Sequence, residues 1–253
     1  MSLEARNVTF CISGQTLLKH VDMVFPAGKL TALCGANGAG KTILLNILAG
    51  WLQPSQGEVL INQVNLQQMD YKSLAQQRAV LTQQDQLNIA FTTAEVINMA
   101  ALPFSKQPVE DLVDDLLIQF DLVDLKERVY ISLSGGERKR ARIVRAILQI
   151  LLCKTSAPYL LLDEPLNELD IRYRHRLMRY LCFLTESGVG VIAVLHNLNA
   201  IRRYSDEVCL LKEGQLLAHG ETEATLTEEC INQGFDVEVA SFTTPIAPFF
   251  IVK

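Results

Sequence analysis

An eight-residue run, Gly35-Ala36-Asn37-Gly38-Ala39-Gly40-Lys41-Thr42, separates two segments whose apolar residues follow different periods. Before it, Leu30-Thr-Ala-Leu-Cys34 is a short apolar stretch, expected as a buried strand of a parallel sheet. After it, Leu44, Leu45, Ile47 and Leu48 recur at helical intervals until Gly50 stops the helix. Strand, glycine turn and helix in that order make half of a βαβ unit. The spacing G-x-x-x-x-G-K-[ST] also suits a phosphate cradle. Without Cβ atoms, Gly38 and Gly40 let the backbone turn its N–H groups inward, and the helix N-terminus adds roughly half a positive charge. On that reading Gly35 to Gly40 form the cradle, Lys41 reaches the β and γ phosphates, and Thr42 offers its hydroxyl to Mg²⁺. The competing reading is a glycine-rich turn that only caps a helix.

Tyr159-Leu-Leu-Leu-Asp163-Glu164 supplies a second strand, ending in two acids. In an open α/β sheet, carboxylates so placed stand at the edge where ligands bind. Asp163 is expected to hold Mg²⁺, and Glu164 to orient and deprotonate an attacking water. A polar turn after a strand is the alternative, weakened by the phosphate loop beside it. Further strands are expected at Gly190 to Leu195 and Glu207 to Lys212, separated by helical stretches. The fold class is therefore α/β with a mostly parallel sheet.

Between about 85 and 150 the pattern is helical. Thr92 and Glu95 form a capping box, and a second helix opens at Pro108 with Leu112, Val113, Leu116, Leu117 and Phe120 on one face. Ser134 and Glu137 make another capping box, starting a helix expected to carry Ala141, Val144, Leu148 and Leu151 inward. Arg138, Lys139, Arg140, Arg142 and Arg145 then read as a solvated helical face.

With 49% hydrophobic and 20% charged residues, the chain can bury enough apolar surface to exclude disorder. Its longest apolar runs, Ile147 to Cys153 and Val189 to Leu195, fall short of the ~20 residues a spanning helix requires. The first residues lack a secretory pattern, so the cytoplasm is the expected compartment. A net charge of −5, with no aromatic residues among the clustered bases, argues against a nucleic-acid partner. Six cysteines without a C-x-x-C pair read as reduced core residues, and His20, His175 and His219 as structural.

With these residues in hand, the chain resembles the ABC-type ATPases. Leu133-Ser134-Gly135-Gly136-Glu137 is similar to that family's signature, Gln83 to its Q-loop glutamine, Leu169-Asp170 to the end of its D-loop and His196 to its switch histidine. The resemblance spans nearly the whole chain. It implies a P-loop NTPase core formed by residues 1–84 and 151–253, with an antiparallel N-terminal β region and an inserted α-helical subdomain over 85–150. It also implies ATP and Mg²⁺ as ligands, with Glu164, His196 and Gln83 catalytic and Thr42, Gln83 and Asp163 on the metal. Gly35 to Thr42, Ser134 to Glu137 and Asp170 would then bind nucleotide. A second anion site at Gly135 and Gly136 has no second phosphate loop to pair with in one chain, so the family's head-to-tail homodimer with two sandwiched ATPs is implied.

Three positions depart from the family pattern. Ile12 stands where an adenine-stacking aromatic is common, Ile43 where a second hydroxyl is common, and Glu168 adds a carboxylate to the D-loop. Among such ATPases the chain looks most like subunits importing hemin, iron chelates or vitamin B12, through Arg78 to Gln83, Phe91 to Val96, the spacer Gln149 to Pro158 and His196 to Asn199. That implies a membrane permease dimer as partner, a periplasmic binding protein indirectly, and a peripheral place on the inner membrane. A soluble ABC-type ATPase serving as an assembly factor, for instance in iron–sulfur cluster building, would share every motif.

Overall fold

The computed structural model describes residues 1–83, 90–104, 109–243 and 248–252. Its first half runs β1 (Ser2–Ile12), β2 (Gln15–Pro26), β3 (Leu30–Cys34), α1 (Lys41–Leu48), β4 (Gln56–Ile61), β5 (Val64–Asn65), α2 (Tyr71–Ala75), β6 (Arg78–Leu81), α3 (Thr93–Asn98) and α4 (Glu110–Gln119). Then follow α5 (Gly135–Leu152), β7 (Tyr159–Leu162), α6 (Ile171–Glu186), β8 (Gly190–Val194), α7 (Leu198–Tyr204), β9 (Glu207–Lys212), β10 (Gln215–Glu221), α8 (Thr222–Thr225), α9 (Glu228–Phe235), β11 (Val239–Thr243) and β12 (Pro248–Val252).

Among the described residues the central sheet has the order β10-β9-β3-β8-β7-β6. The β9–β3, β3–β8, β8–β7 and β7–β6 pairs are parallel, and β10 alone is antiparallel to its neighbour. A separate antiparallel sheet, β2-β1-β4-β5, comes mostly from the N-terminal segment, and β11 pairs with β12 in a C-terminal hairpin. The expected α/β class and antiparallel N-terminal region are both present.

Strand periodicity divides the core between the two faces of the central sheet. Leu160 and Leu162 of β7 join a cluster with Ile97, Leu116 and Val144, whereas Tyr159 and Leu161 join one with Phe25, Leu44 and Leu48. Alternate side chains of a strand point to opposite faces, so a strand covered on both sides is apolar throughout. The helices of 90–152 therefore share one core with the sheet. Tyr159 is the largest fully buried side chain, and its hydroxyl donates to Phe25 O at 3.0 Å. Its ring explains Gly190, where a Cβ would stand 2.3 Å from Tyr159 Cε1.

Three of the expected strands match their predicted bounds, and the fourth ends at Val194 instead of Leu195. Both capping boxes form, at Thr92–Glu95 and Ser134–Glu137. Pro108, expected to open the next helix, lies outside the described residues, as does residue 84 at the expected core boundary.

Other expectations are corrected. Leu151 is 37% exposed, and Leu152 is buried in its place. At ~100° per residue Leu151 lies within about 20° of buried Val144, so helical phase does not separate them; Leu151 stands in the last turn of α5, which ends at Leu152. The basic cluster is only partly a solvated face: Arg138 is exposed, but Lys139 and Arg142 are only 2% and 6% exposed. Cys34 and Cys209 are buried as expected, but Cys11 is exposed and Cys153, Cys182 and Cys230 are half-buried.

Candidate active site

Parallel strands place their carboxyl ends on one edge, so the turns that follow them converge. Register alignment of Leu33 with Val194, Ala193 with Leu162, and Leu162 with Leu81 brings four such turns to one level. They carry Gly35 to Thr42 after β3, His196 after β8, Asp163 and Glu164 after β7, and Gln83 after β6.

In the glycine loop the steric demand falls on Gly35 and Gly40. Gly35 has φ +139, and a Cβ there would stand 2.1 Å from Leu211 O; at Gly40, with φ +98, it would stand 2.7 Å from Leu18 Cδ2. Gly38 has φ +81 with open space around it, so its requirement is conformational. Lys41 is buried and its Nζ donates to the carbonyls of Gly35 and Ala36 at 2.9 and 2.8 Å. Burial holds this ammonium below its ordinary pKa, opposed by Cys34, Glu164 and Asp163.

Thr42 Oγ1 lies 3.4 Å from Asp163 Oδ1. Asp163 is buried, which pushes its carboxyl above the usual range despite the Thr42 hydrogen bond. A hydroxyl beside a buried carboxylate is the hard-oxygen pair that Mg²⁺ takes together with substrate phosphates. The residues present thus fit that ion.

Glu164 is the hub of the edge. Its Oε1 lies 2.7 Å from His196 Nε2, and its Oε2 accepts from Gln83 Nε2 at 3.1 Å and from Asn167 Nδ2 at 2.6 Å. Its backbone takes φ +46, a left-handed conformation unusual for a residue with a Cβ. The Nε2 group of Gln83 thus donates to Glu164, whereas Thr42 and Asp163 meet each other.

Lys139 and Arg142, three residues apart on α5, reach the same edge. Lys139 Nζ donates to Glu164 O at 2.9 Å, and the Arg142 guanidinium donates to Thr82 O and Thr82 Oγ1. Sequence reasoning missed both, together with Asn167. The helical phase was available: positions 139, 142 and 146 share the inward face of α5 with the apolar residues.

The signature residues stand elsewhere. Ser134 caps α5 by accepting from Glu137 N, and Glu137 Oε2 accepts from Ser134 N at 2.8 Å. Among the described residues no hydrogen bond joins Ser134–Glu137 to the glycine loop; these glycines meet Glu168 instead. A Cβ on Gly135 would lie 3.3 Å from Glu168 Oε2, and one on Gly136 would lie 3.1 Å from Glu168 O. Asp170 accepts from Tyr173 N at 3.0 Å and caps α6. Ile12 is exposed, and Ile43 packs on the core between α1 and the sheet. His20, His175 and His219 face Asn7, Tyr204 and Glu207 respectively.

A family profile described as ABC transporter matches residues 18–167. A "Hemin import ATP-binding protein HmuV" from Rhodopseudomonas palustris (strain BisA53) is 35% identical over 240 residues, covering 94% of this chain and 89% of that protein. One of the same description from Bordetella parapertussis is 35% identical over 254 residues, covering 98% and 97%. Among solved structures, the ATP binding subunit of an ABC transporter superposes with TM-score 0.81 at 26% identity, covering 88% of this chain and 91% of that one. A dimeric bacterial ABC transporter cassette superposes with TM-score 0.76 at 24% identity, covering 87% and 98%, a likeness of fold alone.

Proposed function

The chain belongs to the ABC transporter ATP-binding family, and from that premise we propose that it is the ATP-hydrolysing subunit of an importer of hemin or a related iron chelate or cobalamin. The observation that carries the cargo class is near-full-length similarity to proteins named for hemin import. The observation that carries the chemistry is the convergence on Glu164.

ATP lies along the loop Gly35 to Thr42, and its phosphate oxygens replace the carbonyls that now accept from Lys41 Nζ. Thr42, Asp163 and Gln83 would hold Mg²⁺, which when bound neutralises charge on the β and γ phosphates. Glu164 takes a proton from water as the water oxygen bonds to the γ-phosphorus and the bond to the β–γ bridging oxygen breaks, a general-base role worth ~10²–10⁴ in rate. His196 orients that carboxylate, and the Gln83 amide links it to the segment entering the helices.

Ser134 to Glu137 meet the triphosphate of a second copy; among the described residues their side chains bond to each other and not to their own phosphate loop. Two copies therefore close head to tail on two ATPs, with Asp170 near the seam. The helices of 85–150 act as a subdomain that passes closure to a membrane permease dimer, to which a periplasmic binding protein delivers cargo. Among the described residues no helix is long and apolar enough to cross a membrane. We place the chain peripherally, on the cytoplasmic face of the inner membrane.

The test is to purify the chain from membranes and identify what accompanies it. A polytopic permease supports transport. Recovery with iron–sulfur assembly proteins and no permease favours the assembly-factor reading and overturns import.

A further inference from the structure

Burying an ammonium is unfavourable unless its donors are met, and an apolar side chain of similar volume is often the more stable choice. Lys139 is nonetheless 2% exposed. Among the described residues its one hydrogen-bond acceptor is Glu164 O, at 2.9 Å. That carbonyl belongs to a residue with φ +46, followed by Pro165, whose ring lacks an N–H and restricts the conformation before it. Such a conformation persists only where its surroundings over-determine it. The Glu164 side chain is held by Gln83, Asn167 and His196, all exposed. Its backbone is held from beneath by the buried cation. Arg142, one turn further along α5, fastens Thr82, the residue before Gln83.

We propose that Lys139 is a positioning residue for ATP hydrolysis: its ammonium fixes the left-handed backbone of Glu164 and so aims the carboxylate at the attacking water. This rests on the reading of Glu164 as the base. It also joins two parts of the chain that the sequence motifs treat separately, because Lys139 sits one turn into the helix that Ser134 caps. The helix presenting the signature to one nucleotide thereby sets the geometry of the base that acts on another. Burial lowers the Lys139 pKa to about 8, which leaves it mostly protonated at neutral pH.

The experiment is a kinetic cycle on the full chain with Lys139→Met, Lys139→Gln and Glu164→Gln. Lys139→Met should lower kcat ~10–100-fold with the KM for ATP within ~3-fold of the parent, because a misaimed base affects the transition state and not nucleotide binding. Lys139→Gln keeps an N–H donor on a shorter stem and should lose only ~3–10-fold. On the Glu164→Gln background either substitution should add less than ~2-fold, since residues that act through one group are not additive. If Lys139→Met does not fold, the Lys139→Gln arm of the cycle decides. A Lys139→Met enzyme with parental kcat, or the same fold loss with and without Glu164→Gln, overturns the inference. A Glu164→Gln enzyme at parental rate instead overturns the reading of the base.

Discussion

His196 Nε2 stands 2.7 Å from Glu164 Oε1, although the two residues leave different strands and are 32 positions apart. The pair exists because β8 and β7 are parallel neighbours, with Leu162 level with Ala193. Removing either partner should therefore slow chemistry more than it weakens nucleotide binding. Glu164→Gln is expected to hydrolyse ATP at least ~10²-fold more slowly, and His196→Ala ~10–10³-fold, each with ATP affinity within a few-fold of the parent. Steady-state turnover beside equilibrium binding of a fluorescent ATP analogue measures both.

Lys41 follows the glycine loop, and its Nζ donates to two of that loop's carbonyls. Lys41→Ala leaves those carbonyls for water and gives the phosphates nothing in exchange. We expect loss of ATP binding by ~10²-fold or more, read by titration calorimetry. Unchanged affinity would remove the phosphate loop from the account.

Glu168 sets a carboxylate against Gly135, at the N-terminal end of α5. A negative charge there favours the helix dipole but opposes a phosphate approaching the same end. Glu168→Ala should lower the ATP concentration needed for half-maximal self-association by ~2–10-fold, and added salt should shrink the difference. Sedimentation velocity across an ATP series reads it.

Lys139 also marks the pH dependence of stability. Its folded pKa, about 8, lies below the ordinary lysine value of 10.5, so between those values the unfolded chain binds more protons than the folded one. Stability gains a component that rises with pH across this window, as the cost of the buried ammonium is relieved. Lys139→Met should lack that component, and its melting temperature should rise less between pH 8 and pH 10 than the parent's.

Sequence patterns revealed the elements that obey one local rule. β3 and β7 are short apolar runs with a glycine or an acid at their ends, and the two capping boxes announce helix starts by two side chains each. Residues whose roles depend on long-range packing were less legible. Lys139 and Arg142 read as solvated because charge usually is; their burial depends on carbonyls that β6 and β7 bring from 60 and 25 positions away. The C-terminal hairpin of β11 and β12 was also missed. It is seated by Asn199, which accepts from Phe250 N at 2.9 Å, and by Arg202 over the Phe250 ring, contacts that no local period encodes.

Each ATP should be gripped by the phosphate loop of one copy and the signature of another. Mixing Ser134→Arg subunits with Lys41→Ala subunits tests it, because neither variant alone can assemble a complete site. Mixed dimers should regain ATP hydrolysis, up to about a quarter of the parental rate for statistical pairing with one working site per mixed dimer. Activity that stays at the level of the separate variants, in a mixture shown to contain mixed dimers, would contradict it.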